Sequence, residues 1–204
     1  MIAIVDYGLG NIRAFLNVYK RLNIEARAAR DVTELAGATK VILPGVGHFG
    51  HAMERLTASG MKDALDVLVL KDRVPALGIC VGMQMLATAS DEGTQPGLGW
   101  IDGHVRSFHD WEPTAKLPMP HMGWNDVQPL STDGIFDQLG ADSRFYFLHS
   151  YFFECANRDD MLASANYGAD FACAIRHDNI HGVQFHPEKS HHFGARLLQN
   201  FAGL

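Results

Sequence analysis

Cys80 is the residue of this chain whose surroundings most clearly suggest chemistry. It lies in Gly78-Ile79-Cys80-Val81-Gly82, a G-x-C-x-G pattern between an apolar run and a helical one. The serine form of this pattern, the nucleophile elbow, is a tight strand-to-helix turn in which glycines avoid collisions with the neighbouring strand and helix. A helix N-terminus also favours a thiolate. The alternative is an unreactive core cysteine, since free cysteines often act as small apolar residues.

A thiol nucleophile needs a base, and the base needs a group that orients it. His186 follows an apolar run in "GVQFHPEKS" (182–190), and Glu188 comes two residues later with Pro187 between them. A carboxylate at this spacing can fix the tautomer of the imidazole. Taken alone, His186 could be a structural histidine. Together with Cys80, it indicates a Cys-His-Glu triad.

Backbone N–H groups that could stabilise an oxyanion come from two segments. The N–H of Val81 directly follows the nucleophile. The segment "LPGVGHFG" (43–50) follows a predicted strand, and its residues Gly45, Val46 and Gly47 can approach a ligand because glycine lacks a Cβ. It lacks the G-K-[ST] ending of a phosphate-binding loop. Gln84, one helical turn after Cys80, is within reach of a bound substrate.

An α/β fold is needed to hold these residues together. The predicted strands of the first half are 2–6, 25–29, 40–45 and 74–79. The predicted helices are 11–22, 49–71 with a break near 58–60, 81–90 and, at the end of the chain, 193–204. Strands alternating with helices predict a parallel sheet, and the aromatic-rich second half predicts added antiparallel strands.

We therefore expect a single α/β domain over residues 1–204. Its sheet is predicted to be open, mixed and mostly parallel, and flanked by helices. Cys80 and His186 both follow predicted strands, so they are expected at the carboxyl ends of the sheet, where sites of such folds gather.

The composition argues against several classes of protein. A net charge of −6 with scattered Lys and Arg provides no electrostatic footprint for nucleic acid or anionic lipid. No apolar run approaches the roughly 18 residues of a membrane span, and the first residues lack the basic segment of a signal peptide. Three widely spaced cysteines without a CxxC motif indicate the cytoplasm. We expect no metal or cofactor, because no usual ligand set accompanies His191-His192.

Five segments together resemble the class I (triad-type) glutamine amidotransferases. They are "LPGVGHFG", "GICVGMQ", "HMGWNDV", "FYFLHSY" and "GVQFHPEKS", in the order of the family and spread over nearly the whole chain. Within the family the chain is most similar to the glutaminase subunits of histidine biosynthesis. Residues 91–93, 96–108 and "KSHHFG" also resemble paralogues of surface-polysaccharide clusters, which supply ammonia for an acetamidino sugar.

The resemblance implies a mechanism and a partner. Cys80 would attack the side-chain amide of glutamine, and the ammonia would pass to a barrel-type synthase (cyclase) subunit in a heterodimer, for imidazole glycerol phosphate and AICAR formation. A peptide flip in the 45–47 loop would couple activity to the partner. The positions implied for glutamine binding are Gln84, His149, Ser150 and Tyr151. The positions implied for the partner interface or its gate are Lys189, Trp124 and Asn125.

Two positions depart from the family pattern. Val81 replaces the usual leucine, and little effect is expected because this residue contributes mainly its N–H. His48 replaces a small residue in the loop expected to flip, so it either alters basal activity or is an exposed bystander. Two readings of another class stay open from the residues alone. One is a cysteine peptidase or other thiol hydrolase, and the other is an inactive partner-binding scaffold.

Overall fold

The computed structural model of the chain describes residues 1–140 and 142–204, in which it places thirteen strands and six α-helices. The strands are β1 (Ile2–Val5), β2 (Ala26–Ala29), β3 (Lys40–Gly45), β4 (Ala76–Cys80), β5 (Ala89–Ser90), β6 (Gly103–Ser107), β7 (His121–Asp126), β8 (Gln128–Pro129), β9 (Arg144–His149), β10 (Tyr151–Cys155), β11 (Met161–Asn166), β12 (Asp170–His177) and β13 (Ile180–Val183). The helices are α1 (Ile12–Arg21), α2 (Val32–Leu35), α3 (Phe49–Ala58), α4 (Lys62–Asp66), α5 (Val81–Gln84) and α6 (His191–Gly203).

Eleven of these strands form one mixed sheet. Its order is β2-β1-β3-β4-β13-β12-β10-β6-β5, with β11 paired to β12 and β8 paired to β11. The strands β2, β1, β3, β4 and β13 run parallel, whereas β12, β10, β6 and β11 join antiparallel partners. A separate antiparallel pair is formed by β7 and β9. The predicted open, mixed, mostly parallel sheet with antiparallel strands added in the second half of the chain is confirmed.

Most residues of the central parallel strands are buried. Every residue of β1 and β4 is buried, as expected for parallel strands that are covered on both faces. The amphipathic α1 contributes Phe15, Val18 and Tyr19 to this core. The predicted break near 58–60 is present, because α3 ends at Ala58 and Gly60 turns the chain with a φ of +74°. Within residues 1–140 and 142–204, no helix combines the length and the apolar character needed to cross a bilayer.

The helix predicted over 81–90 is wrong in length, because α5 ends at Gln84. The carbonyls of Met85, Leu86 and Ala87 do not accept hydrogen bonds from a following helical turn. They accept instead from the N–H groups of segment 98–101, at 2.8 to 3.1 Å. The chain then enters β5, which pairs with β6. A contact with a later segment therefore overrides the local helical pattern.

Candidate active site

The turn between β4 and α5 holds Cys80 in a backbone conformation that few side chains adopt. Cys80 ends β4 with φ of 56° and ψ of −116°, in a region that costs a non-glycine residue on the order of 1–3 kcal/mol. A Cβ on Gly82 would lie 1.9 Å from the carbonyl oxygen of Leu43, and one on Gly78 would lie 2.5 Å from that of Gly82. Both glycines are therefore required by close packing, as the elbow pattern predicts. Because α5 is a single turn, it provides only a weak helix dipole.

His186 reaches the same place from the neighbouring strand. β13 runs parallel to β4 with Val183 opposite Ile79, so residues beyond both strands emerge at the same edge of the sheet. His186 donates from Nδ1 to Oε1 of Glu188 at 2.9 Å, and the two side chains are only 5% and 2% exposed. Such a buried, charge-assisted bond fixes both the orientation and the tautomer of the imidazole.

The charge state of His186 is set by opposing effects. Burial disfavours the imidazolium, but hydrogen bonds and negative charge from Cys80 and Glu188 outweigh it, so the pKa of His186 is raised to about 9. An imidazolium beside the sulfur favours the thiolate form of a cysteine. His186 is therefore prepared to hold a proton next to the sulfur of Cys80.

A buried serine holds the turn that carries His186 and Glu188. The hydroxyl of Ser190 donates to the carbonyl of His186 at 2.6 Å and accepts from the N–H of Tyr146 at 3.0 Å. The N–H of His186 donates to the carbonyl of Tyr146 at 2.9 Å. These bonds attach the 187–189 turn to β9. The orientation of His186 therefore depends on Ser190 and Tyr146 as well as on Glu188.

A cavity of about 350 Å³ opens over Cys80 and His186. It gathers most of the residues predicted from the sequence, namely Val81, Val46, Gly47, Gln84, His149, Ser150, Tyr151 and Lys189. Gly45 is not part of the lining. It pairs with Cys80 at the end of β3, and a Cβ on it would lie 2.4 Å from the nitrogen of Gly82. Gly45 therefore packs behind the site.

Gln84 and His149 form the wall of this cavity through bonds to the protein. The Nε2 of Gln84 donates to the carbonyl of Tyr151 at 3.2 Å and to Oε1 of Gln184 at 3.0 Å. His149 donates from Nδ1 to the same carbonyl at 2.7 Å. Burial, and after it the proximity of the His121 imidazole, lower the pKa of His149 to about 3. His149 is thus a neutral hydrogen-bonding group and not a second base.

The residues predicted for an interface or gate separate onto two faces of β7. The indole of Trp124 is exposed and stacks on His191, with ring centroids 5.2 Å apart. Lys189 lies nearby, with Nζ 5.6 Å from the centroid of the Tyr146 ring. Asn125 points to the other face, as expected of adjacent residues on a strand, and its amide donates to the carbonyl of Asn166 at 2.8 Å. Trp124 and Lys189 are therefore accessible to a partner, and Asn125 lies behind them.

Three site residues carry roles that sequence reasoning did not assign. Gln184 is fully buried and donates to the sulfur of Cys80, Glu92 lines the cavity, and Ser190 holds the triad turn. Gln184 could have been found, because it precedes His186 by two residues and so shares its face of an extended chain. No local pattern marks Glu92, whose partner Phe49 lies 43 residues earlier. Ser190 bonds to the nearby His186, but its bond to Tyr146 spans 44 residues.

His48, the unusual residue of the loop before α3, has a local structural role. It is the N-cap of α3, and its Nδ1 accepts from the N–H of Gly50 at 3.1 Å. The N–H of Phe49 donates to Oε2 of Glu92 at 2.8 Å. The start of α3 is thus fixed by His48 and by a residue of the cavity wall.

Taken together, the cavity contains the parts needed for acyl transfer through a thioester. It has a thiol on a strained turn, an imidazole oriented by a carboxylate, and backbone segments on two sides of the sulfur. This combination of nucleophile, base and orienting group is the arrangement of covalent acyl-transfer enzymes.

Comparison with known proteins agrees with this arrangement. Residues 3–203 match the family model described as glutamine amidotransferase class-I. The chain is 63% identical to the imidazole glycerol phosphate synthase subunit HisH of Bdellovibrio bacteriovorus and 49% identical to that of Leptospira interrogans, and each alignment covers all of both chains.

Solved structures support the same fold at lower identity. A crystal structure of a glutamine amidotransferase matches with a TM-score of 0.76 at 22% identity, covering 100% of this chain and 99% of the other. A glutamine amidotransferase from Thermotoga maritima matches with a TM-score of 0.66 at 16% identity, over 98% of this chain and 81% of the other. The chain belongs to the class I glutamine amidotransferases.

Proposed function

We propose that this chain is the glutaminase subunit of an imidazole glycerol phosphate synthase. It hydrolyses glutamine to glutamate and supplies ammonia to a synthase partner in histidine biosynthesis. The observation that carries this proposal is the full-length similarity, at 63% identity, to a subunit of that synthase. The same relatives favour this pathway over an acetamidino-sugar synthase and over a peptidase. The complete Cys80, His186 and Glu188 arrangement argues against an inactive scaffold.

The reaction proceeds through a covalent intermediate on Cys80. The thiolate attacks the side-chain amide carbon of glutamine, a C–S bond forms, and the carbonyl oxygen becomes an oxyanion. The N–H of Val81 and a donor from the Val46–Gly47 segment stabilise that oxyanion. His186 gives a proton to the leaving nitrogen, and ammonia departs. His186 then accepts a proton from water as the water attacks the thioester, and glutamate and the thiol are released.

The walls of the cavity suit an amino acid substrate. Among the described residues that line it, Glu92 is the one carboxylate, and it matches the α-ammonium group of glutamine. Gln84 has committed its amide nitrogen to the protein, so its oxygen is the atom left for the substrate. Ser150 and Tyr151 complete this side of the pocket.

The surface beside the cavity suits a partner subunit. Met122, Trp124 and Leu148 are 65%, 40% and 37% exposed, and Met122 pairs with Leu148 across β7 and β9. A group of exposed apolar residues next to a reactive cavity is typical of a protein interface. The partner inferred from the family is a barrel-type cyclase subunit that forms a heterodimer with this chain and receives the ammonia.

The compartment proposed for this heterodimer is the cytoplasm. Cys80, Cys155 and Cys173 are all free thiols. Free cysteines persist in reducing compartments, and the proposed mechanism needs Cys80 reduced.

Glutamate release from glutamine, measured with the chain and its cyclase subunit, tests the proposal. Wild-type protein is expected to be active, Cys80→Ala inactive, and Cys155→Ala, which removes a thiol outside the cavity, close to wild type. Glutaminase activity that survives in Cys80→Ala would contradict the assigned nucleophile. Peptide hydrolysis without glutaminase activity would favour the thiol hydrolase.

A further inference from the structure

The sulfur of Cys80 has a polar neighbour that the triad does not include. Nε2 of Gln184 lies 3.8 Å from Sγ of Cys80, and the Gln184 side chain is fully buried. A second polar neighbour of Sγ outside the triad is the carbonyl oxygen of Leu148, at 3.9 Å. A carbonyl can accept a hydrogen bond from the S–H group of a thiol, but its partial negative charge disfavours a thiolate. Which end of the Gln184 amide faces the sulfur therefore matters for the charge on the nucleophile.

A backbone carbonyl dictates the orientation of the Gln184 amide. The oxygen of Tyr151 can only accept, so Gln84 must present its NH2 group there, at 3.2 Å. The second hydrogen of that NH2 group points to Oε1 of Gln184, at 3.0 Å. Gln184 then has its oxygen facing Gln84 and its NH2 group facing Cys80. The carbonyl of Tyr151 therefore fixes which group donates and which accepts in each hydrogen bond between it and the sulfur.

A second chain of bonds stabilises the Tyr151 carbonyl from the other side. His149 donates from Nδ1 to it, so the neutral ring accepts at Nε2 from Nδ1 of His121, at 2.9 Å. His121 is also neutral, because burial lowers its pKa to about 4, and its Nε2 accepts from the amide of Asn125 at 3.2 Å. In each of these hydrogen bonds the donor points toward Tyr151. The carbonyl that orients the glutamines is therefore itself held in place.

We propose that Gln184 is a further catalytic residue, which donates an amide N–H to the thiolate of Cys80. This inference rests on the proposed function only in that Cys80 is the nucleophile. The N–H stabilises the negative sulfur before the attack and opposes the unfavourable carbonyl of Leu148. Gln84 is then a positioning residue as well as part of the pocket wall, because it keeps the oxygen of Gln184 away from the sulfur.

Alkylation of Cys80 tests this proposal without glutamine or a partner. The rate of reaction with iodoacetamide is measured by peptide mass spectrometry from roughly pH 6 to pH 10, a range that spans the usual ionisation of cysteine. In Gln184→Met, which keeps the length of the side chain but lacks the donor, we expect the rate at pH 7 to fall about tenfold, as the loss of one hydrogen bond predicts. At high pH the thiol ionises without help, so the two rates are expected to converge.

Two further variants keep the proposal falsifiable. Gln84→Met removes the donor that orients Gln184, and we expect a slowing of about threefold at pH 7, with the same convergence. Gln128→Met makes the same substitution on the exposed strand β8 and should leave the rate unchanged. Equal rates in wild type and in both buried variants would overturn the proposal. A slowing by the same factor at every pH would overturn it too, since that result indicates altered access.

The failure of this proposal can be told apart from failure of the proposed function. If Cys80→Ala retains glutaminase activity, the proposed function is contradicted, whatever the alkylation rates. If Cys80→Ala is inactive and Gln184→Met alkylates like wild type at pH 7, only the role of Gln184 is refuted.

Discussion

Replacing Glu188 by glutamine tests how the buried carboxylate acts on His186. Glutamine has the same shape, so Oε1 can still accept from Nδ1, but the negative charge is removed. The pKa of His186 is raised from 6.5 to about 9, against the effect of burial, by Cys80 and Glu188 together. At 1.36 kcal/mol per pKa unit this shift corresponds to roughly 3 kcal/mol in favour of the imidazolium.

Two effects of Glu188→Gln follow from this magnitude. The pKa of His186 should fall, because the hydrogen bond and the negative charge of Glu188 both raise it in the wild type. The glutaminase rate should fall about tenfold, because a charge-assisted hydrogen bond of about 1.5–3 kcal/mol is replaced by a neutral one of about 0.5–1.5 kcal/mol, a loss of about 1–1.5 kcal/mol. The matched control is Glu112→Gln, which removes an exposed carboxylate outside the cavity and should leave both quantities unchanged.

The dependence of stability on pH provides an independent readout. The folded pKa of His186 lies above its unfolded value, so the stabilisation it contributes is fully present below about pH 6.5 and is lost as the pH rises through about 9. Urea unfolding should therefore show a smaller loss of stability across this window in Glu188→Gln than in wild type. NMR titration of the His186 ring measures the pKa directly. If its midpoint is the same in the variant and the wild type, the role assigned to Glu188 is refuted.

Two more predictions concern the elbow and the exposed face of β7. Cys80→Gly should be more stable than Cys80→Ala by about 1 kcal/mol in urea unfolding, because glycine tolerates a φ of 56°; equal stabilities would mean that the turn is not strained. Trp124→Ala should weaken binding of the cyclase subunit by about thirtyfold in titration calorimetry, as expected for a buried aromatic anchor. The control Val32→Ala, an exposed apolar residue on α2, should not change the affinity, and an equal loss in both variants would argue against an interface at Trp124.

The parts of the site that depend on local rules could be predicted from the sequence. Apolar runs identified β3 and β4, and the glycine spacing around Cys80 identified the elbow, because both follow from short-range sterics. His186 and Glu188 are two residues apart, so their bond is also local. The two segments come together because parallel strands end at one edge of the sheet.

The remaining features depend on contacts between segments that are distant in sequence. The end of α5 depends on N–H groups from segment 98–101, and the orientation of Gln184 depends on the carbonyl of Tyr151. The sequence near the end of α5 and the sequence near Gln184 do not include these distant partners. The separation of Trp124 from Asn125 is different, since strand alternation predicts it once β7 is recognised.

The fit between β3 and α5 has a consequence for how the site can be regulated. The carbonyl of Pro44 accepts from the hydroxyl of Tyr7 at 2.8 Å, and Gly45 packs so closely that a Cβ on it would lie 2.4 Å from the nitrogen of Gly82. A Cβ on Gly47, in contrast, would meet no atom within 4 Å. The loop is therefore closely packed at Gly45 and open at Gly47, and we expect a rotation of the peptide between Val46 and Gly47 to leave Gly45 and the nucleophile in place. A signal that reaches this peptide would change the reaction rate and leave the stability of the fold nearly untouched.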